Sequence, residues 1–312
     1  MQEQQPEVSG RPSNSDRRAL VIGGGGAAGN AWALGLIAGL AERRVDVTQA
    51  DLIIGTSSGS TVAAQITGGP PPADLYAAIL AGSPRRQPED AAGLGGQRAP
   101  YSSGPNYMEW SAGVIGSADG AADMRRRMGA AALQMDASNG SGQARWRETV
   151  AARIPSPRWP QQRVLIVAVD AHTGEPVVFD RHSGVDLVDA VAASTSNGFG
   201  PFPPYRIGER RYINGGYRRN ENADLAAGYG LVLVLSPFGG RSRMPPEWGM
   251  DLATQVDELH AGGSRVETVF PDGGAGDVFD VNALDPSTRR QAARGGHDQG
   301  RGIAERIADI WR

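Results

Sequence analysis

The first 66 residues use one unit twice: a short, wholly apolar run, then a glycine-rich turn, then a helical pattern. Residues 19–22 (Ala-Leu-Val-Ile) lead into an unbroken loop from Gly23 to Gly29, after which Leu34, Ile37, Ala38 and Ala41 recur at helical spacing over 31–41. Residues 52–54 (Leu-Ile-Ile) lead into Gly55-Thr56-Ser57-Ser58-Gly59, and a second helix is expected over 61–66. Strands that are apolar on both faces must be covered on both faces. Alternation with helices therefore predicts an α/β fold with a mostly parallel central sheet.

The pattern resumes at 164–169, turns through Thr173-Gly174-Glu175 as a hairpin to 177–179, and continues with a helix over 187–193, short strands at 205–207 and 211–213, and a strand at 231–235. Helices are expected over 248–261, after Asp285-Pro286, and over 297–311. Between 68 and 160 the regularity gives way to glycine- and proline-rich stretches and helical pieces at 73–81, 107–115, 121–134 and 145–153, read as an inserted, lid-like region. It holds Trp110, Trp146 and Trp159, which suit either a cleft wall or simple packing of the insertion. Residues 1–18 are polar and are expected to form a flexible tail before a single domain over 19–312. They lack the apolar stretch of a secretory signal, and no run reaches the roughly 18 apolar residues of a membrane span. The expectation is a cytoplasmic protein, soluble or in peripheral contact with a membrane.

Composition narrows the chemistry. The chain has no Cys and no Lys, so all 31 basic residues are Arg. Thiolate nucleophiles, Cys-ligated metals, Schiff-base lysines and the P-loop lysine are excluded. His172, His182, His260 and His297 show no metal-ligand spacing, so neither a metal nor a cofactor is expected. A net charge of -3 argues against nucleic acid as a partner.

A G-x-S-x-G match means little alone among 44 glycines, but Gly55-x-Ser57-x-Gly59 stands between a strand and a helix. There the flanking glycines permit a sharp turn that projects the hydroxyl near the positive end of the helix, which marks Ser57 as a nucleophile. The loop at 23–29 has two readings. Gly24-x-Gly26-x-x-Gly29 satisfies a dinucleotide fingerprint, with Asp46 as a ribose contact, although Asp46 precedes the second strand instead of ending it. Its N–H groups equally suit an oxyanion beside the serine.

The loop after strand one, the Gly-Thr-Ser-x-Gly elbow after strand two, and Tyr212-Ile213-Asn214-Gly215-Gly216 followed by Asn222-Ala223-Asp224-Leu225 occur in an order that resembles the patatin-like phospholipases. The resemblance runs from Ala19 to Leu235. It implies a three-layer α/β sandwich and a lipid acyl hydrolase or acyltransferase acting on a lipid or other acyl ester. Carried over by motif, Ser57 is the nucleophile and the N–H groups of Gly24, Gly25 and Gly26 form the oxyanion hole. The family's catalytic Asp falls on Asn214, and a basic residue common in the family's glycine loop falls on Ala28. An amide is no general base, so either activity is weakened or the protein is a catalytically impaired member that binds an acyl ligand or a partner. Asp180, Glu221, Asp224 and His172 are the candidates for a substitute base. The loop at 194–204, with Asn197, Phe199 and Phe202, suits either substrate contact or a plain connection. Arg125–Arg127, Arg210–Arg211 and Arg218–Arg219 suit either anionic groups or solvent.

Overall fold

A computed structural model describes residues 16–82, 103–136, 141–200, 202–279 and 282–311. Most of the polar tail and most of the glycine- and proline-rich stretch at 91–105 lie outside these. The described residues reach into the expected tail: β1 spans Arg18–Ile22, and Arg17 donates from Nη2 to the Tyr229 hydroxyl at 2.8 Å. Then follow α1 (Gly26–Glu42), β2 (Leu52–Thr56), α2 (Ser58–Ile66), α3 (Pro72–Ala81), α4 (Ser103–Gly116), α5 (Ala121–Met135) and α6 (Ser141–Ala151). The second half holds β3 (Arg163–Asp170), β4 (Pro176–Phe179), α7 (Leu187–Thr195), β5 (Tyr205–Ile207), β6 (Arg210–Asn214), β7 (Leu231–Leu235), α8 (Leu252–Ala261), β8 (Arg265–Val269) and α9 (Arg289–Trp311).

The sheet runs β5-β6-β3-β2-β1-β7-β8, with β4 also paired to β3. Neighbours from β3 through β8 are parallel, and β4, β5 and β6 are antiparallel additions at one side. Alternate strand residues feed two cores, as a two-sided sheet requires. Leu20, Ile22, Ile53 and Ile166 pack with α1, α2, α7 and α9. Ala19, Val21, Ile54 and Val167 pack beneath α8 and the short helix Ala223–Ala226. A third cluster joins Val169 and Ile213 to Met124 and Met128 of α5. This is the expected three-layer α/β arrangement.

Two differences from the sequence reading have clear causes. The sequence reading passes over β8, whose Arg265-Val-Glu-Thr-Val alternates weakly, yet it completes the sheet beside β7. The helices expected after Asp285-Pro286 and over 297–311 are one continuous helix, α9, which begins at Arg289 and passes through Gly295, Gly296 and Gly300. Those glycines resemble breakers in sequence but serve contact: Cβ atoms on Gly296 and Gly300 would overlap the α1 carbonyls of Trp32 and Leu36, while Gly35 and Gly39 of α1 face α9 in the same way. The insertion is also shared out. Leu75 and Ile79 of α3 and Trp146 of α6 join the α1–α9 layer, leaving α4 and α5 on the opposite face, with α4 over the site. No described helix is long and apolar enough to cross a membrane.

Candidate active site

Ser57 leaves β2 with φ 54° and ψ -124°, a conformation that non-glycine residues rarely hold and that the surrounding turn must enforce. The glycines on either side make that turn possible by contact. A Cβ on Gly55 would lie 2.6 Å from Ser60 Cα, and one on Gly59 would overlap the Ile22 carbonyl and lie 2.8 Å from that of Gly23. The elbow is thus pressed against the end of β1. Its backbone is held by the Ser57 N–H donating to Ser194 Oγ of α7 at 2.9 Å and by Ser60 Oγ donating to the Ser57 carbonyl at 2.5 Å.

Asn214 arrives from the other side of β3. Thr56 pairs with Val167 across one edge of that strand and Asn214 with Ala168 across the other. Gly215 then lies directly on the Val167 carbonyl, where any Cβ would overlap it, and this close pass brings Asn214 to the serine. Asn214 Nδ2 donates to Ser57 Oγ at 2.9 Å and to Asn197 Oδ1 at 2.6 Å, while Asn214 Oδ1 accepts from the Gly216 N–H at 2.8 Å. The backbone donor sets the direction of the amide: exchanging its ends would turn Nδ2 against the Gly216 N–H. Ser57 therefore accepts from Asn214 and cannot deliver its proton there.

The network continues outward. Tyr217 donates to the Asn197 carbonyl at 2.7 Å, and its hydroxyl lies 3.0 Å from that of Tyr107 on α4. Burial pushes both phenols above their usual range, so they remain neutral donors. Sequence reading left Asn197 undecided, grouped Tyr107 with the insertion residues suited to either a cleft wall or simple packing, and passed over Tyr217, which carries no motif.

Gly24, Gly25 and Gly26 line the same cleft as Ser57 and Asn214, a cavity of about 440 Å³. Their N–H groups are not equally available. That of Gly24 donates to the Asn220 carbonyl at 3.2 Å and that of Gly25 to Ser58 Oγ at 2.8 Å. Gly26 opens α1, where N–H groups lack intrahelical acceptors. Ser58 and Asn220 are thus partners of the loop that the motifs did not reveal.

None of the four substitute bases meets Ser57. Asp180 accepts from His182 N and Ser183 Oγ in its own turn, and Asp224 pairs with Arg218 and Arg219. His172 is exposed in the β3–β4 turn, its N–H capped by Asp170. Glu221 is 1% exposed beneath the glycine loop, and its Oε1 accepts from Ser236 Oγ and Asn220 Nδ2. No Asp, Glu or His lines the cleft among the described residues.

Burial raises the Glu221 carboxyl above its ordinary range. An acid whose folded value is raised favours the fold when protonated, and that contribution is lost as pH climbs past the unfolded value. Glu221→Gln should accordingly gain thermal stability relative to the unchanged chain as pH rises above the ordinary carboxyl range. A stability difference that does not vary with pH would show that Glu221 titrates normally.

Trp110, Trp146 and Trp159 of the insertion pack against the cores, while Tyr107 lines the cleft. Phe199 packs on Tyr107 and Trp110, Phe202 on Trp146, and neither Phe lines the cleft. Most of the arginine clusters are neutralised: Arg126 and Arg127 pair with Asp123, Arg210 with Asp170, Arg211 with Asp136, and Arg219 with Asp224 and Glu258. Arg125 donates to the Gly174 carbonyl. Asp46 caps its own turn by accepting from Thr48 N and Oγ1 before β2, so it is not at the strand end where a ribose contact belongs, and the dinucleotide reading fails. No group of described residues is suited to hold a metal ion.

Among curated proteins, nothing matches the chain. Among solved structures it is similar to VipD from Legionella pneumophila, with 15% identity and a TM-score of 0.44 over 93% of this chain and 67% of that one. It is also similar to the type III effector protein ExoU, with 16% identity and a TM-score of 0.41 over 95% of this chain and 56% of that one. Full-length ExoU in complex with full-length SpcU, from Pseudomonas aeruginosa, matches at 16% identity and a TM-score of 0.32, over 93% of this chain and 53% of that one. The chain thus spans little more than half the length of ExoU. The sequence profile of one family matches residues 20–227, which takes in the glycine loop, the serine elbow and the Asn-Gly-Gly turn together, and the chain belongs to the patatin-like phospholipases.

Proposed function

We propose that the protein is a serine acyl hydrolase or acyltransferase for lipid or other acyl esters, in which Ser57 forms the acyl ester and Asn214 makes both its formation and its breakdown slow. The observation that carries this reading is the 2.9 Å contact between Asn214 Nδ2 and Ser57 Oγ at a strained elbow. Ser57 Oγ would attack the ester carbonyl, with the C–O bond to the alcohol breaking and the alcohol leaving with a proton. The charge on the carbonyl oxygen would fall to N–H donors at the start of α1. Gly26 supports this most directly, and Gly24 and Gly25 would have to exchange their present acceptors for it. In an aspartate dyad the serine proton would be held by the carboxylate. Here the amide orients Ser57 Oγ but takes no proton, so the proton must pass to water or to the leaving group.

A second reading, in which the cleft chiefly binds an acyl group, is favoured by the same amide and by the absence of a carboxylate or imidazole among the described cleft residues. Labelling with a fluorophosphonate decides between them, because it needs an activated serine but no leaving-group protonation by the enzyme. The expected result is a slow, stoichiometric adduct on Ser57 that is lost in Ser57→Ala. No adduct at millimolar probe would leave the binding reading alone.

A further inference from the structure

We propose that the acyl donor is a thioester, from which Ser57 takes the acyl group and releases a thiol. This rests on Ser57 as the acyl acceptor and adds the class of leaving group. An oxygen ester needs a proton on its departing oxygen, because an alcohol, like water, ionises only near about pH 16. In a serine dyad that proton is the one first taken from the nucleophile. Asn214 cannot carry it. Its Nδ2 donates to Ser57 Oγ at 2.9 Å, and its Oδ1 is held by the Gly216 N–H at 2.8 Å.

The rest of the cleft offers no acid. No Asp, Glu or His lines it among the described residues, and its arginines do not release protons. Its two tyrosines are committed. Tyr217 gives its single proton to the Asn197 carbonyl at 2.7 Å, so in the pair at 3.0 Å Tyr107 is the donor and Tyr217 the acceptor. Both phenol protons thus lie on protein acceptors, and burial raises both groups above their usual range.

Without an acid, the tetrahedral intermediate of an oxygen ester goes back. Its alkoxide leaves no more easily than Ser57 itself, and a proton retained on Ser57 Oγ makes the serine the better leaving group. A thiol ionises near about pH 8.5, so a thiolate leaves unaided. In the balanced step Ser57 Oγ bonds to the acyl carbon, the C–S bond breaks with its electron pair on sulfur, and the serine proton passes to water. An acyl phosphate would release a more highly charged group, and the groups bonded to the Ser57 and Asn214 side chains are all neutral. The composition suits a thioester. Thiols and primary amines are the side chains that such donors acylate without a catalyst, and the chain has neither Cys nor Lys to divert the acyl group.

The test compares S-hexanoyl-N-acetylcysteamine with its oxygen counterpart, 2-acetamidoethyl hexanoate, which differ only in sulfur against oxygen. Acylation is read as hexanoyl mass added to the intact protein, and thiol release with Ellman's reagent, which meets no cysteine in this chain. The thioester should give a burst of about one thiol per protein, lost in Ser57→Ala, and should acylate at least about tenfold faster than the oxygen ester. In Asn214→Asp that ratio should fall towards equality, because a carboxyl can hand the serine proton to the departing oxygen. A series of aryl hexanoates needs no variant: on the unchanged chain, acylation should rise steeply with the acidity of the departing phenol. Equal acylation by the matched pair, a ratio unaltered by Asn214→Asp, or a flat aryl series would overturn the thioester. Failure of the underlying reading looks different. A protein labelled by fluorophosphonate but not by the thioester refutes the thioester alone, and one that takes neither refutes Ser57 as the acyl acceptor.

Discussion

Asn214→Asp is expected to raise hydrolysis of short-chain p-nitrophenyl esters at least about tenfold, and Ser57→Ala in the same background to abolish the gain. The gain comes from polarity. A carboxylate at this position keeps the acceptor bond from the Gly216 N–H, now 2.8 Å to Oδ1, and gains a lone pair aimed at Ser57 Oγ. The serine then donates where it now accepts. Asn197 must turn its amide to present Nδ2 in place of the Oδ1 that now lies 2.6 Å from Asn214 Nδ2, a rotation that needs no backbone movement.

General base assistance is worth about 10² to 10⁴ in rate. The variant should fall short of the full span, because the site is only 7% exposed and desolvation opposes the charge on a new carboxylate. For the same reason the gain should grow with pH until that carboxylate is ionised. If Asp brings no gain while the unchanged chain already turns over fast, a base outside the described cleft is acting and the dyad geometry is not limiting.

The second large effect concerns the elbow itself. Gly59→Ala should cost on the order of 3 kcal/mol, at the upper end of overpacking penalties, and lower Tm by about 5 °C in a chain of 312 residues. Ser57 labelling should fall with it. The added methyl meets backbone, the carbonyls of Ile22 and Gly23, and neither can rotate away as a side chain would. Relief requires α2 to move from the end of β1, which carries the strained serine out of line with Asn214 and the glycine loop. Gly302→Ala is the contrasting case, since nothing lies within 4 Å of a Cβ at that exposed position of α9. It should be neutral or stabilising by up to about 1 kcal/mol, as helix propensity predicts. Equal losses in the two variants would mean that close contact at Gly59 is not what shapes the turn.

Much of the site was legible because it rests on local rules. Glycine flanking a serine between a strand and a helix has few structural uses, and the apolar runs located β1, β2, β3 and β7 within a residue or two. Reading failed where glycine had a second meaning. In α9 it marks close helix contact with α1, which no window along one segment can distinguish from a break. β8 failed for a related reason: a strand of weak alternation is specified by the neighbour it completes.

The residues of the chain by themselves determined the inventory of chemistry: no thiol, no lysine amine, one serine at an elbow, and an asparagine where the family resemblance implies an aspartate. Only the tertiary structure decided what that asparagine does. Its amide can point either way in isolation, and the Gly216 N–H of its own turn together with Asn197, brought in by the loop after α7, turns its donor toward Ser57. The tertiary structure likewise decided which arginines are neutralised and which face the cleft, since a counterion is set by folding and not by adjacency in sequence. Hydrogen-bond polarity and charge compensation are properties of meeting groups, so they exist only once the chain has brought those groups together.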